Sequence, residues 1–193
     1  MNICVYGASS STIDEKYIKA GEKLGSLIAA AGHTLVFGGG ASGLMGAVAR
    51  GVHAAGGKVI GVAPSFFNVD GILYPECDEF IYTETMRERK EKMEQLSDAF
   101  IMTAGGIGTF EEFFEILTLR QLGRHKKPIA VLNTDGYFDP LIALMNNAIE
   151  KGFMTEANHR IFGVFADEQE LLDYLTSGEV FTGDITQFKA IGK

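Results

Sequence analysis

Cysteine is scarce in this chain, which has only Cys4 and Cys77 among its 193 residues. No basic leader precedes a long apolar run or a cleavage site, so nothing in the sequence has the form of a secretion signal. Secreted domains of modest size commonly depend on several disulfides, and two cysteines do not provide such a framework. The sequence therefore predicts a cytoplasmic protein with reduced thiols.

Basic residues and long apolar runs are also lacking. Seventeen Lys and Arg residues face 25 Asp and Glu residues, which gives a net charge of −8 and a pI near 5.0. Nucleic-acid binding normally requires a basic face that displaces counterions, so we expect no nucleic-acid partner. No run of about 18 apolar residues is present, so we expect no membrane insertion. A small anion remains a suitable ligand, because a local pocket can oppose the global charge.

The residues that are present predict one α/β domain. Hydrophobic residues make up 46% of the chain, and a chain of this length buries roughly 70% of its unfolded surface around one core. Short β-branched runs alternate with helical patterns. The predicted strands are residues 3–6, 34–37, 58–62, 79–82, 99–103, 128–132 and 161–165. The predicted helices are residues 17–31, 44–55, 86–96, 109–122, 139–150 and 167–175.

Short glycine-containing connections link these elements. Gly32 and Gly56 follow the first two helices, and a strand begins directly after each, which is typical of a left-handed helix cap and a parallel sheet. The strands are almost continuously apolar, as expected when helices cover both faces. We predict a doubly wound, Rossmann-like parallel sheet in a single nucleotide-binding domain over residues 1–193, with residues 176–193 as a peripheral tail.

Ligands of such sheets bind outside the carboxyl ends of the strands. Three turns qualify, at residues 7–11, 38–43 and 105–108, and the irregular segment 64–78 is expected to flank the same cleft. The third turn is the most informative, because it places three glycines, a hydroxyl and two carboxylates between an apolar strand and a helix. Glycines allow close backbone approach, and the first N–H groups of a helix attract anions. The turn is suited to holding a phosphate.

The turn at residues 38–43 also fits G-x-G-x-x-G, which raises the alternative of a redox dinucleotide. That fingerprint requires an acidic residue about 20 positions later to hold the ribose, and the chain has Val62, Ala63 and Pro64 there. No GK[ST] follows either glycine turn, which argues against a P-loop. Dinucleotide binding is therefore the weaker reading of this turn.

Arg89 is distinguished within a strongly charged helix. The other basic residues there have a carboxylate four positions away, as in Arg87 with Glu91 and Lys90 with Glu94. Arg89 lies beside an apolar stripe without such a partner, and an unpaired buried guanidinium is costly. An anion from elsewhere must meet it, which is either a distant Asp or Glu in a structural ion pair or a ligand.

Glu112 is distinguished in the same way. Phe110, Phe113, Phe114 and Leu117 are predicted to form an apolar face of their helix, while Glu111, Glu115 and Thr118 share a polar one. Glu112 falls with Ile116 and Leu119 instead. Two explanations remain open: a capping box in which Glu112 reaches back to the N–H of Thr109, or a chemical role.

The chain has four histidines. Three of them, His33, His53 and His125, have no metal-ligand spacing with other donors. Loop charge or core hydrogen bonding explains them better, and we expect no metal and no cofactor.

The chain resembles the LOG (Lonely Guy) family of cytokinin riboside 5'-monophosphate phosphoribohydrolases, whose members have often been labelled lysine decarboxylases. The resemblance extends from the first strand to about Phe153. It is carried by GGGASGLMG at 38–46, MRERK at 86–90, SDAF at 97–100, GGIGTFEE at 105–112, QLGRHKKP at 121–128 and LNTDGY at 132–137. Two residues depart from the family pattern: Ala104 stands where the motif has proline, and Leu119 stands where many members have tryptophan.

The resemblance implies that Arg89 and Glu112 are the catalytic pair. Together with the glycine turns, the serines after the first strand and the two flanking helices, it gives a set of expected substrate-binding residues. These are Ser9, Gly39, Gly43, Met86, Lys90, Gly105, Gly106, Ile107, Gly108, Thr109, Glu111 and Thr118. Nothing marks a pyridoxal phosphate lysine, so the decarboxylase label is not supported.

The expected reaction is hydrolysis of the N-glycosidic bond of a nucleoside 5'-monophosphate, a cytokinin ribotide or an AMP-like compound, to base and ribose 5-phosphate. Glu111 and Glu112 are about 100° apart on a helix, so they cannot face each other across one bond. The alternative is a non-catalytic nucleotide or pterin-cofactor carrier of the same fold. The resemblance also implies a homodimer, in which the side of the helix bearing Ile116 and Leu119 joins the subunits.

Overall fold

The computed structural model describes residues 1–178 and 185–188. Seven parallel strands form one sheet in the order β4-β3-β2-β1-β5-β6-β7. The strands are β1 (Asn2–Tyr6), β2 (Thr34–Phe37), β3 (Lys58–Pro64), β4 (Glu79–Thr83), β5 (Ala99–Met102), β6 (Ile129–Leu132) and β7 (Gly163–Phe165). The helices are α1 (Glu15–Ala30), α2 (Gly43–Ala54), α3 (Met86–Leu96), α4 (Ile107–Gln121), α5 (Asp139–Glu150), α6 (Glu168–Thr176) and α7 (Ile185–Phe188). Three short 3-10 helices lie at Ser65–Phe67, Thr134–Gly136 and Glu156–Arg160.

The sheet has helices on both faces, which confirms the predicted doubly wound class. Side chains alternate along β1, so that Ile3 and Val5 join the core under α1, α2 and α6. Cys4 and Tyr6 join the second core, under α3, α4 and α5. β1 pairs with β2 on one side and with β5 on the other. The strand order therefore reverses at β1, which is the topological switch point where ligands of such sheets bind.

Most predicted element boundaries lie within two residues of those in the structure, and the differences have local causes. α1 begins earlier than expected because Asp14 caps it, accepting a hydrogen bond from the N–H of Lys16 at 2.9 Å. The predicted glycine caps are confirmed, since Gly32 and Gly56 have φ of 73° and 75°. Residues 179–184 and 189–193 of the predicted tail lie outside the described residues, and residues 185–188 of it form α7.

Two glycines let α1 and α2 pack closely. A Cβ added to Gly25 on α1 would lie 2.1 Å from the carbonyl oxygen of Val48, and one added to Gly51 on α2 would lie 2.2 Å from the carbonyl oxygen of Glu22. Neither carbonyl oxygen can move away from an added Cβ, because each belongs to the backbone of a helix. In the described part of the chain, no helix is long and apolar enough to cross a membrane.

We predict that Gly25→Ala destabilises the fold by about 1–3 kcal/mol, because the added methyl group forces the two helices apart. Gly108→Ala is the matched control: Gly108 is also helical, but an added Cβ there meets nothing within 4 Å. Urea unfolding monitored by circular dichroism measures both. Equal midpoints for the two variants would show that the close approach at Gly25 does not limit stability.

Candidate active site

A cavity of about 610 Å³ lies at the carboxyl ends of β1, β2 and β5. All three predicted turns contribute to its wall, and so does the segment after β3, as the sequence predicted. The cavity is lined by Gly7, Ala8, Ser9, Ser10, Gly38, Gly40, Ser42, Met45, Phe67, Gly71, Ile72, Leu73, Met86, Arg89, Gly106, Gly108, Thr109 and Glu112. The turns gather there because the strands they follow are neighbours at the switch point.

Arg89 on α3 and Glu112 on α4 form a buried ion pair in the wall of this cavity. The residues are only 5% and 8% exposed, and Nη1 of Arg89 donates to Oε1 of Glu112. Nε of Arg89 also donates to the carbonyl oxygen of Val62 at 3.1 Å. The carboxylate that Arg89 required from elsewhere in the chain is thus Glu112. The ion pair joins two residues that the sequence had singled out separately.

Gly38 provides the space for the guanidinium. A Cβ on Gly38 would lie 2.0 Å from Nη2 of Arg89, so any side chain at this position would displace the arginine. This glycine belongs to the turn that matched the dinucleotide pattern. Its contact with Arg89 explains the glycine without a dinucleotide.

Burial and charge act in opposite directions on Glu112. Burial raises the pKa of its carboxyl group, whereas the positive charge of Arg89 and the hydrogen bond from it lower that pKa. Burial is the larger effect, so the pKa is raised above its ordinary value. The site holds a carboxylate that is poorly solvated and is stabilised mainly by one guanidinium.

The capping box that was considered for Glu112 and Thr109 does not form. α4 begins at Ile107 with Gly106 as its N-cap, two residues earlier than predicted, so Thr109 lies inside the first turn and is not a cap. The carboxylate of Glu112 binds Arg89 on another helix. The capping box of this region forms instead on α3, where Thr85 accepts from the N–H of Glu88 at 3.2 Å and Glu88 accepts from the N–H of Thr85 at 3.2 Å.

The buried face of α4 differs from the apolar face that was predicted. Phe113 and Leu117 are buried as expected, but Phe114 is 39% exposed. The buried stripe is rotated toward Thr109, Glu112 and Arg120, all of which are buried polar residues. A polar set of this kind is invisible to a pattern that assigns burial only to apolar residues.

The second and third glycine turns differ in whether protein groups already bind the start of the helix that follows. At α2, the N–H groups of Leu44 and Met45 both donate to the carbonyl oxygen of Ala8, at 2.9 and 3.1 Å. The start of α2 is therefore occupied by protein. At α4, Gly106 and Gly108 line the cavity, and an added Cβ on either would meet nothing within 4 Å. The backbone of the third turn faces open space, which is the arrangement an incoming phosphate requires.

The expected substrate-binding residues divide into two groups. Ser9, Met86, Gly106, Gly108 and Thr109 line the cavity with Arg89 and Glu112. The others are not part of its lining. A Cβ added to Gly105 would meet the Thr109 hydroxyl, one added to Gly39 would meet Phe80, and one added to Gly43 would meet the carbonyl oxygens of Ala8 and Ser10. Ile107 is 87% exposed, and Thr118 is exposed on α4.

Lys90 has different partners from those the helical spacing predicted. It pairs with Glu111 and, at 2.8 Å, with Glu115, both on α4, and not with Glu94 on its own helix. Lys90 also lines a second cavity of about 400 Å³ on the far side of Glu112. The Lys90 pairs and the Arg89 pair together fasten α3 to α4.

Several residues of the cavity wall were not predicted individually from the sequence. Met45, Phe67, Ile72 and Leu73 supply apolar surface to the cavity. The only signal for them was their position in or after the turns that follow β2 and β3. The backbone connects these two segments, since the N–H of Ala41 donates to the carbonyl of Ile72 at 2.9 Å.

His125 has a structural role in the core. Nε2 of His125 donates to the carbonyl oxygen of Ile116 at 3.0 Å in the core, and burial lowers the pKa of His125 to about 4. Core hydrogen bonding, one of the two explanations from the sequence, is confirmed for this residue. Among the described residues, no group of three or more His, Cys, Asp or Glu side chains is placed to hold a metal ion.

Comparisons with known proteins agree with this fold. Among solved structures, the molybdenum cofactor binding protein from Rippkaea orientalis superposes with a TM-score of 0.70 and 24% identity, over 91% of this chain and 95% of that one. The molybdenum cofactor carrier protein from Chlamydomonas reinhardtii gives a TM-score of 0.69 and 22% identity, over 91% and 96%. At these identities the similarity establishes the fold and no more.

Sequence comparison is more specific. Residues 45–175 match the model of a family described as "possible lysine decarboxylase". The chain is 41% identical over 159 residues to the cytokinin riboside 5'-monophosphate phosphoribohydrolase LOG of Oryza sativa subsp. japonica, covering 82% of this chain and 66% of that protein. It is 37% identical over 184 residues to LOG7 of Arabidopsis thaliana, with the same activity in its name, covering 95% and 85%. The chain therefore belongs to this family, together with the LOG phosphoribohydrolases of plants.

Proposed function

We propose that this protein hydrolyses the N-glycosidic bond of a nucleoside 5'-monophosphate, a cytokinin ribotide or an AMP-like compound, and releases the base and ribose 5-phosphate. The observation that carries the proposal is the buried Arg89–Glu112 pair in the wall of a cavity that also contains the open start of α4. The names of the relatives describe the same reaction.

The phosphate is assigned to the start of α4. Gly106 and Gly108 expose their backbone to the cavity there, and the first N–H groups of a helix have no partners within it. Those groups and the helix dipole favour an anion. The start of α2 is a poorer phosphate site, because the carbonyl oxygen of Ala8 already occupies it.

The carboxylate of Glu112 is assigned to the sugar. When the C–N bond breaks, the electron pair leaves with the base and positive charge develops on the ribosyl ring. A fixed carboxylate beside the anomeric carbon stabilises that charge more than it stabilises the ground state. Water then adds to the anomeric carbon through its oxygen, and the proton that it loses passes to the departing base, directly or by way of the carboxylate.

Glu112 acts without a second carboxylate in this scheme. Among the described residues that line the cavity, it is the only acidic one. Glu111 and Glu115 are held by Lys90. A pair of facing carboxylates, as in many glycosidases, is therefore not part of the proposed mechanism.

Arg89 is assigned the role of orienting Glu112 and keeping it ionised. A buried ion pair contributes little net stability compared with apolar residues of the same size, so its presence in a cavity wall supports a functional purpose. Neutralisation of charge on the departing base or on the phosphate is also within the chemistry of a guanidinium that borders the cavity.

We also propose that the protein is a cytoplasmic homodimer. Ile116, which the sequence placed at the subunit contact, is buried within the subunit at 3% exposure. Phe114 on α4 and Leu122, the C-cap residue directly after α4, are 39% and 44% exposed. These two exposed side chains favour α4 as the contact surface. Light scattering of the purified protein at micromolar concentration should give twice the mass of one chain, and a monomer would contradict the proposal.

We predict that Glu112→Gln and Arg89→Gln each lower kcat/KM for base release from AMP or a cytokinin ribotide by about 100- to 1000-fold, the usual cost of removing one electrostatic stabiliser. Glu168→Gln is the matched control. Glu168 is also a buried, ion-paired carboxylate, 2.6 Å from Lys23, but it lies on α6 and outside the cavity lining. Its turnover should be close to that of the unmodified protein.

Product analysis separates this proposal from a carrier function. Thermal stabilisation by nucleoside monophosphates without release of base would favour binding alone. Full turnover by either the Glu112 or the Arg89 variant, verified as folded by circular dichroism, would refute the proposed pair.

The pKa of Glu112 supplies an independent prediction. NMR titration of carboxyl-labelled glutamates should contain one signal that is lost in Glu112→Gln and titrates above the ordinary value of 4.5. In Arg89→Gln the same signal should titrate still higher, because the guanidinium lowers the pKa. A midpoint at or below 4.5, or a downward shift in the Arg89 variant, would contradict the proposed electrostatics.

A further inference from the structure

The side chain of Tyr137 contacts the third glycine turn from behind. Its hydroxyl donates a hydrogen bond to the carbonyl oxygen of Gly105 at 2.7 Å. Gly105 follows β5, while Tyr137 follows β6 and the short 3-10 helix Thr134–Gly136. Tyr137 is not part of the cavity lining, so it approaches the turn from outside the cavity. The bond therefore joins the loops of two neighbouring strands at the wall of the site.

Because the peptide unit is planar, this contact also determines the direction of a backbone N–H on the cavity side. In a planar trans peptide, the carbonyl of one residue and the N–H of the next point in opposite directions. Holding the carbonyl of Gly105 toward Tyr137 therefore directs the N–H of Gly106 away from Tyr137. Gly106 lines the cavity and is the N-cap of α4. The hydroxyl of Tyr137 binds the carbonyl of this peptide directly, and glycine on both sides makes the peptide plane easier to rotate when that bond is removed.

Tyr137 is itself held firmly. The Asn133 side chain accepts from the N–H of Phe138 at 2.7 Å and donates to Asp139 at 2.8 Å, which closes the loop after β6. The ring of Tyr137 packs edge-on against Phe138 at 4.9 Å and against Tyr17 at 5.8 Å. These hydrogen bonds and ring contacts hold the Tyr137 hydroxyl in position beside Gly105.

A second contact fixes the same loop from α1. Asp135 adopts a φ of 55°, which is uncommon for a residue other than glycine, and its carboxylate pairs with Lys16. The loop is tied to α1 and to the core at once. The Tyr137 to Gly105 bond is the hydrogen bond by which this scaffold reaches the glycine turn.

We infer that Tyr137 is a positioning residue for the substrate phosphate, acting through the Gly105–Gly106 peptide to aim a backbone N–H at the anion. This inference rests on the proposed function, since it assumes that the phosphate binds at the start of α4. It assigns to Tyr137 no contact with the substrate.

The test is calorimetric binding of ribose 5-phosphate and of free adenine to the unmodified protein, to Tyr137→Phe and to Tyr17→Phe. Tyr137→Phe removes only the hydroxyl, and its expected effect is a loss of about three- to tenfold in affinity for ribose 5-phosphate, the scale of one hydrogen bond. Adenine binding should be unchanged. Tyr17→Phe is the matched control, because it removes a hydroxyl from the same ring pair and leaves the glycine turn alone.

Kinetics should agree with the binding. Tyr137→Phe should raise KM for a nucleoside 5'-monophosphate while kcat changes less than twofold, and the melting temperature should match that of Tyr17→Phe. Unchanged affinity for ribose 5-phosphate in Tyr137→Phe would overturn the inference, as would equal losses for ribose 5-phosphate and adenine. Failure of the unmodified protein to bind ribose 5-phosphate or to release base would instead refute the proposed function, and the inference with it.

Discussion

The buried ion pair between Arg89 and Glu112 is the constraint on which the rest of the site depends. Two charges removed from water are tolerated only when each neutralises the other and the remaining hydrogen-bonding groups are satisfied. The carbonyl oxygen of Val62 accepts a hydrogen bond from Nε of Arg89, and the absence of a side chain at Gly38 leaves room for the guanidinium. α3, α4 and the ends of β2 and β3 must therefore meet at one point, and the cavity forms around it.

Much of this arrangement could be predicted from sequence because it depends on local patterns. The alternation of apolar strands with periodic helices determined the fold class, and glycine caps marked the ends of α1 and α2. Arg89 and Glu112 were each identified as a charged residue on an apolar side of its helix. Arg89 also had no counter-ion three or four residues away, whereas a local capping box with Thr109 remained open for Glu112. Since the carboxyl ends of parallel strands share one edge, the three turns were expected to meet there.

The remaining features depend on contacts that no local pattern encodes. The partners of Lys90 lie on α4, which follows α3 after the intervening strand β5. Helical spacing within α3 therefore gave the wrong pair. The buried face of α4 was misjudged at Phe114, because Thr109 and Glu112 occupy the interior that apolar residues were expected to fill. Tyr137 belongs to the LNTDGY match, but the sequence assigned it no role, since a hydroxyl that bonds to a backbone carbonyl 32 residues earlier leaves no trace in spacing.

A double-mutant cycle on kcat/KM for a nucleoside 5'-monophosphate tests the central claim most directly, namely that Arg89 and Glu112 act as one unit. The four proteins are the unmodified chain, Arg89→Gln, Glu112→Gln and the double variant. Residues that act together lose their effect together, so the double variant should be no more than about threefold slower than the slower single variant. A double variant whose loss equals the product of the two single losses would contradict the account.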